Sequence, residues 1–268
     1  MKLQDFFSTH PVFTYEEYVE FLSTQGSLNV KTRESILSHY TKTGRLLRVR
    51  RGLYLSVPRG LTPEKCPVDP YLLASKMAPD SVLAYHTALE LYGKAYSVYE
   101  EFVYLTRSRI RPLNFRGQRY RSVAFPKKLI EKGRESFGVV LVERSGLDVH
   151  VTSLERTLVD VLDRPSIGGT WEEIWRSLEM VEFFDLDKVV EYTISLGNAT
   201  TAAKVGFFLE QYKDTLMPNE DHLNRLLALI PAQPHYIVRN GRKPGRFIRK
   251  WNLVVPPEIV ERRWEEIL

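Results

Sequence analysis

Lys31, Ser35, Ser38 and Lys42 recur at i, i+4, i+7 and i+11. At 100° per residue this spacing places them in one stripe of a helix, with Ile36, Leu37 and Tyr40 on the other side. Small hydroxyls between ammonium groups suit the major groove of a duplex. They reach base edges and phosphates, and no bulky side chain blocks entry. Thr32 joins this set at the start of the helix, while Arg33 falls on the apolar side and either snorkels or reaches a phosphate from the flank. Farther on, Arg48, Arg50 and Arg51 crowd the turn before Gly52, where they can straddle the backbone or enter the adjacent minor groove.

These residues belong to a wider charge pattern. The chain has 38 basic and 33 acidic residues, a net charge of only +5, but the excess is clustered. Residues 31–59 hold Lys31, Arg33, Lys42, Arg45, Arg48, Arg50, Arg51 and Arg59 against Glu34 alone. Residues 107–134 are basic apart from Glu131, and Arg239, Arg242, Lys243, Arg246, Arg249 and Lys250 form a third group with no acid. A single charge run is commonly solvated surface; three in one chain point to a polyanionic partner. Within the second run, Arg109, Arg111, Arg119 and Arg121 form a candidate second basic face, the last two on one side of a strand by alternation.

The residues needed for catalysis do not assemble. There is no Gly-x-x-x-x-Gly-Lys phosphate loop, and Gly168-Gly169 before Thr170 reads as a turn ahead of a helix cap. The six histidines lack the spacing of a helical metal pair, and His86 reads as a core or capping residue. Asp185-Leu186-Asp187 resembles half of a two-carboxylate metal site, but no Gly-Ser turn precedes it and Asp185 suits a helix cap. Ser145 and Ser153 have no base partner. No catalytic residue, metal ligand or cofactor is assigned, and the chain is not expected to be an enzyme. The lone Cys66 excludes an internal disulfide and fits a reducing cytoplasm. No apolar run is long enough to span a membrane, and the acid-bearing N-terminus does not resemble a signal peptide.

The elements that would position the basic stripe can be read from capping and periodicity. A short helix through Leu3, Phe6 and Phe7 precedes Pro11, and Thr14-x-x-Glu17 is a capping box opening a helix to about Thr24. Asn29 caps the helix that carries the stripe, and Gly44 ends it. Residues 45–49 and 53–57 form a β-hairpin, so the layout is that of a winged helix-turn-helix. Pro58, Gly60, Pro63 and Pro67 mark a linker.

The expected class is therefore α+β. Residues 1–58 form a winged helix-turn-helix, 59–68 a linker, and 69–268 a larger mixed domain with a helix-rich second half. In that domain Asp69 caps a helix with Pro70 at its first position, and strands lie near 81–84, 102–106 and 120–125. A hairpin turns at Ser145-Gly146. Thr152-x-x-Glu155 is a second capping box, opening a helix to Arg164-Pro165. Helices follow at 171–183, 186–196, 200–213, 219–229 and 257–267, with a long basic hairpin between 235 and 255 turning at Asn240-Gly241.

Several strings, in order, resemble the AbiEi family, antitoxins of type IV abortive-infection toxin–antitoxin systems. They are Arg45 to Tyr54, Asp69-Pro70, Tyr85 to Gly93, Val151 to Asp160, Gly168-Gly169 and Gly206 to Glu210, and the resemblance extends to about residue 213. It implies an antitoxin and autorepressor. The winged helix would bind inverted repeats in its own promoter, and the C-terminal domain would counteract a cognate nucleotidyltransferase-like toxin. The second basic face would touch DNA beyond the wing, the toxin's RNA substrate or the toxin itself. Three other readings stay open: a ligand-sensing winged-helix regulator without a toxin partner, an enzyme whose motif has drifted, and direct toxin sequestration without DNA binding.

Overall fold

The computed structural model describes residues 3–26, 29–238 and 244–264. The fold is α+β, as expected. The chain begins with α1 (Leu3–Thr9), β1 (Val12–Thr14), α2 (Tyr15–Thr24), α3 (Val30–Lys42), β2 (Leu46–Arg50) and β3 (Leu53–Ser56). After an irregular stretch come α4 (Pro70–Ser75), β4 (Val82–Leu83), α5 (His86–Leu91), β5 (Glu101–Thr106), β6 (Leu113–Phe115) and β7 (Gln118–Ala124). Then follow α6 (Lys127–Glu131), β8 (Val139–Arg144), β9 (Leu147–Thr152), α7 (Leu154–Asp163), α8 (Pro165–Gly168), α9 (Trp171–Glu179), α10 (Leu186–Leu196) and α11 (Ala199–Gln211). The last elements are α12 (Lys213–Leu216), α13 (Glu220–Leu227), β10 (His235–Tyr236), β11 (Arg246–Ile248), β12 (Leu253–Val255) and α14 (Pro257–Glu261).

Side-chain caps account for several helix starts. Thr14 and Glu17 exchange side-chain and backbone bonds at the start of α2, Asn29 accepts from Thr32 N–H at the start of α3, and Asp69 accepts from two amides of α4. At α7 the expected cap moves by one residue. Ser153, not Thr152, accepts from the Arg156 amide, because Thr152 is the last residue of β9 and its hydroxyl pairs with that of Thr157 at 2.8 Å. Two strands, β1 and β6, were not expected: three residues are too few to display a period.

Three sheets form, with strand orders β1-β3-β2, β6-β7-β5-β4-β9-β8 and β10-β12-β11. The last corrects the expected basic hairpin. β10 runs parallel to the central β12 and β11 antiparallel to it, joined by a 3-10 turn at Arg249–Trp251. The segment around Asn240-Gly241, with Arg239, Arg242 and Lys243, lies outside the described residues. Two helices are shorter than expected: α9 stops at Glu179, and α14 at Glu261, where Arg262 takes a left-handed conformation.

The chain divides into two compact units, and their limits are not those expected from the linker. The first comprises residues 1–83, 100–122 and 141–150; the second comprises 84–99, 123–140 and 151–268. The first therefore adds distant strands to the N-terminal module. Arg116, at a left-handed position in the β6–β7 turn, donates to the Pro63 and Cys66 carbonyls, and Lys76 pairs with Glu17. Such long-range bonds bind the expected linker into the unit. The first unit also carries the whole of the chain's basic excess.

In the second unit α7 packs against α5, α10 and α11. Its Arg156 is fully buried, donating to the Glu135 and Phe137 carbonyls at 2.6 and 2.7 Å and to Asp160 at 3.3 Å. Asp160 also accepts from the Tyr192 hydroxyl at 2.7 Å. These two charges of the Val151–Asp160 string are thus structural. On α11, Gly206 makes room for Trp251: a Cβ there would stand 2.1 Å from the indole ring.

Candidate nucleic-acid interface

The surface that carries the stripe is held from beneath by an aromatic core. Phe6, Phe13, Tyr18, Phe21, Leu22, Leu37 and Leu46 are buried together, with Ile36, Tyr40 and Tyr54 packed at their edge. Phe6 stacks on Phe21 at 4.7 Å between ring centres, and Phe13 on Tyr54 at 5.6 Å. Burying each such side chain contributes about 1.5–3 kcal/mol, so the rotation of α3 about its axis is fixed by Leu37, Ile36 and Tyr40. Burial, followed by neighbouring Tyr15, pushes the Tyr18 phenol up to about 12. The neutral hydroxyl donates to the Arg33 carbonyl at 3.4 Å.

With that face inward, Lys31, Ser35, Ser38 and Lys42 are all exposed along the other side of α3. The β2–β3 hairpin rises beside them. β2 and β3 pair antiparallel with a bulge between Arg48 and Arg50, and Arg51-Gly52 form the turn. Gly52 has a φ of 78°, a conformation that glycine adopts without steric cost. Between α3 and this hairpin runs a groove of about 770 Å³. Its α3 wall presents Glu34, Ser38, Thr41 and Lys42; the hairpin supplies Arg48, Arg51 and Tyr54; the start of α2 supplies Tyr15 and Glu16.

The expected residues therefore divide into groups. Ser38, Lys42, Arg48 and Arg51 border one groove, while Lys31 and Ser35 continue the exposed stripe beyond it. Thr32 serves the helix start: its amide and hydroxyl both donate to Asn29 Oδ1, at 2.8 and 3.0 Å. Arg50 is half-buried and donates to the Met77 carbonyl, and it is not among the residues bordering the groove. Sequence reading passed over Glu34, Thr41 and Tyr15. The signal for Glu34 and Thr41 was their helical offset from Ser38, of minus four and plus three.

The second basic face is also present in the first unit. Arg109 and Arg111 are exposed in the segment between β5 and β6. Arg119 and Arg121 project from β7 to the same carboxylate, Glu101, at 3.4 and 2.7 Å, as alternation requires. Glu101 offsets part of that charge. In the third basic group Arg246 and Arg249 are exposed, and Lys250 pairs with Glu210 at 2.7 Å.

Other candidates have structural surroundings. His86 is buried, with Nε2 3.0 Å from Glu173 and its ring stacked on Tyr99. Burial alone would raise the Glu173 carboxyl, but hydrogen bonds from His86, Ser97 and Ser177 hold it at about 2. Asp185 caps α10, and burial pushes the Cys66 thiol up. Among the described residues no group of His, Cys, Asp and Glu side chains could hold a metal ion, and no helix is long and apolar enough to cross a membrane.

No family model matches the chain, and no curated protein matches it. Among solved structures it is similar to the crystal structure of the RV2827C protein from Mycobacterium tuberculosis, with a TM-score of 0.57 and 17% identity. The match covers 93% of this chain and 87% of the other. At that identity the likeness is one of fold.

Proposed function

We propose that the chain is an antitoxin and transcriptional autorepressor whose N-terminal module is a winged helix-turn-helix binding inverted repeats in its own promoter. The order α1-β1-α2-α3-β2-β3 supports that module. The observation that carries the DNA reading is the joint exposure of Lys31, Ser35, Ser38 and Lys42 on α3, with Arg48 and Arg51 across one groove. In this reading α3 enters the major groove, and the two wing arginines hold phosphates or the adjacent minor groove. Arg109 and Arg111, which form no ion pair among the described residues, extend contact along the same polyanion.

The remainder of the chain counteracts a nucleotidyltransferase-like toxin, acting in the cytoplasm without a cofactor. The AbiEi-like strings support this part, and within the Val151–Asp160 string Arg156 and Asp160 are spent on packing, as expected of a motif that marks a fold. Two experiments test the proposal. The full chain should retard a duplex taken from the DNA upstream of its own coding region in preference to a shuffled duplex of equal length. Its co-expression should restore growth to cells carrying a nucleotidyltransferase-like product encoded beside it. Equal retardation of both duplexes would remove the repressor half, and unrelieved toxicity the antitoxin half.

A further inference from the structure

Glu34 stands where a phosphate-binding surface should have no acid. It is the one carboxylate on α3, it is exposed, and it borders the groove with Ser38, Lys42, Arg48 and Arg51. It makes no hydrogen bond or ion pair among the described residues, although Lys31 lies one turn away on the same helix. Nor does the helix dipole account for it. Glu16, the other acid of the groove, sits in the first turn of α2, where a negative charge is favoured, whereas Glu34 lies beyond the first turn of α3. Against the phosphate backbone alone, an unneutralised carboxylate weakens binding to every sequence.

We propose that Glu34 is a base-reading residue whose carboxylate accepts a hydrogen bond from the N4 amino group of a cytosine in the major groove. The inference rests on the DNA reading of this surface and specifies what that surface selects. A carboxylate only accepts, so it needs a base edge that only donates. Cytosine presents its N4 amino group there without an acceptor, whereas adenine sets N7 beside its N6 amino group, and guanine and thymine present acceptors. Ser38, one turn along on the same side, and the cations of Lys42, Arg48 and Arg51 hold the duplex in place, and Glu34 discriminates between sequences. Its exposure and lack of a partner leave both oxygens available.

The test selects duplexes from a randomised library with the full chain and with Glu34→Gln and Glu34→Ala, then titrates the best duplex and versions altered at each position. The parent chain is expected to require a C·G pair at one position, with replacement costing about tenfold in affinity. Glu34→Gln should move that preference towards adenine, because an amide pairs with both N6 and N7. Glu34→Ala should lose discrimination there and bind unrelated duplexes more tightly than the parent. If both variants select the parent's sequence with undiminished discrimination, Glu34 is a solvated charge and the inference is overturned while the DNA reading stands. If the parent prefers no duplex over any other, the DNA reading itself fails.

Discussion

Two arginines adjacent in the sequence, Arg50 and Arg51, have different surroundings in the structure. Arg51 lies exposed at the hairpin tip on the groove, whereas Arg50 donates to the Met77 carbonyl. Their substitution should therefore separate affinity from stability. Arg48→Ala with Arg51→Ala is expected to weaken binding to all duplexes and reduce the slope of log K against log salt by about 2, with an unchanged melting temperature. Arg50→Ala is expected to leave that slope near the parent's while costing about 1–3 kcal/mol of stability, since it strands the carbonyl of buried Met77. Salt titrations and thermal melts of the two variants check both statements. An equal loss of slope in Arg50→Ala would show that its guanidinium leaves Met77 to hold a phosphate. The cationic hairpin was legible in the sequence, because three arginines around a glycine need no tertiary context. The sequence could not disclose which arginine turns back, since Met77 lies 27 residues away.

At the scale of elements, local signals were legible wherever the bond was local. Thr14 and Glu17, Asn29, and Asp69 with Pro70 each mark a helix start by a bond within three residues, and each appears in the structure. Signals failed where a neighbouring strand competed. Thr152 continues β9 and leaves the cap to Ser153, and β12 takes the place between β10 and β11 that a simple hairpin would have closed. Two packing arrangements can be tested directly. Gly206→Ala should cost at least the 1–3 kcal/mol typical of an overpacked core, because Trp251 fills the space its methyl would need. A melting temperature equal to the parent's would mean that Trp251 is free to move aside.

The second test concerns Glu173, held at about 2 against an ordinary 4.5. A carboxyl with a depressed pKa in the folded state stabilises the fold above its unfolded value, and that contribution fades as pH falls from about 4.5 towards 2. Glu173→Gln is accordingly expected to be less stable than the parent at neutral pH, with the gap narrowing over that interval in denaturant titrations. A gap independent of pH would refer the loss to shape and not to charge.

For the whole molecule, the α+β class followed from periodicity and punctuation, but the division into compact units did not. A proline-rich stretch at 58–68 reads as a linker because nothing local holds it; Arg116 holds it from a distant turn. What the reading of function requires is narrower: that the exposed stripe of α3 and the wing across from it act together on a duplex. The most direct measurement is equilibrium binding of the full chain to its own upstream DNA over a range of salt, beside a variant carrying Lys42→Glu and Arg51→Glu. The expected result is a steep fall in affinity with salt, of about 10³- to 10⁵-fold between 50 and 200 mM if six to ten phosphates are engaged, with binding by the variant abolished. Salt-independent binding, or a variant that binds as the parent does, would contradict it.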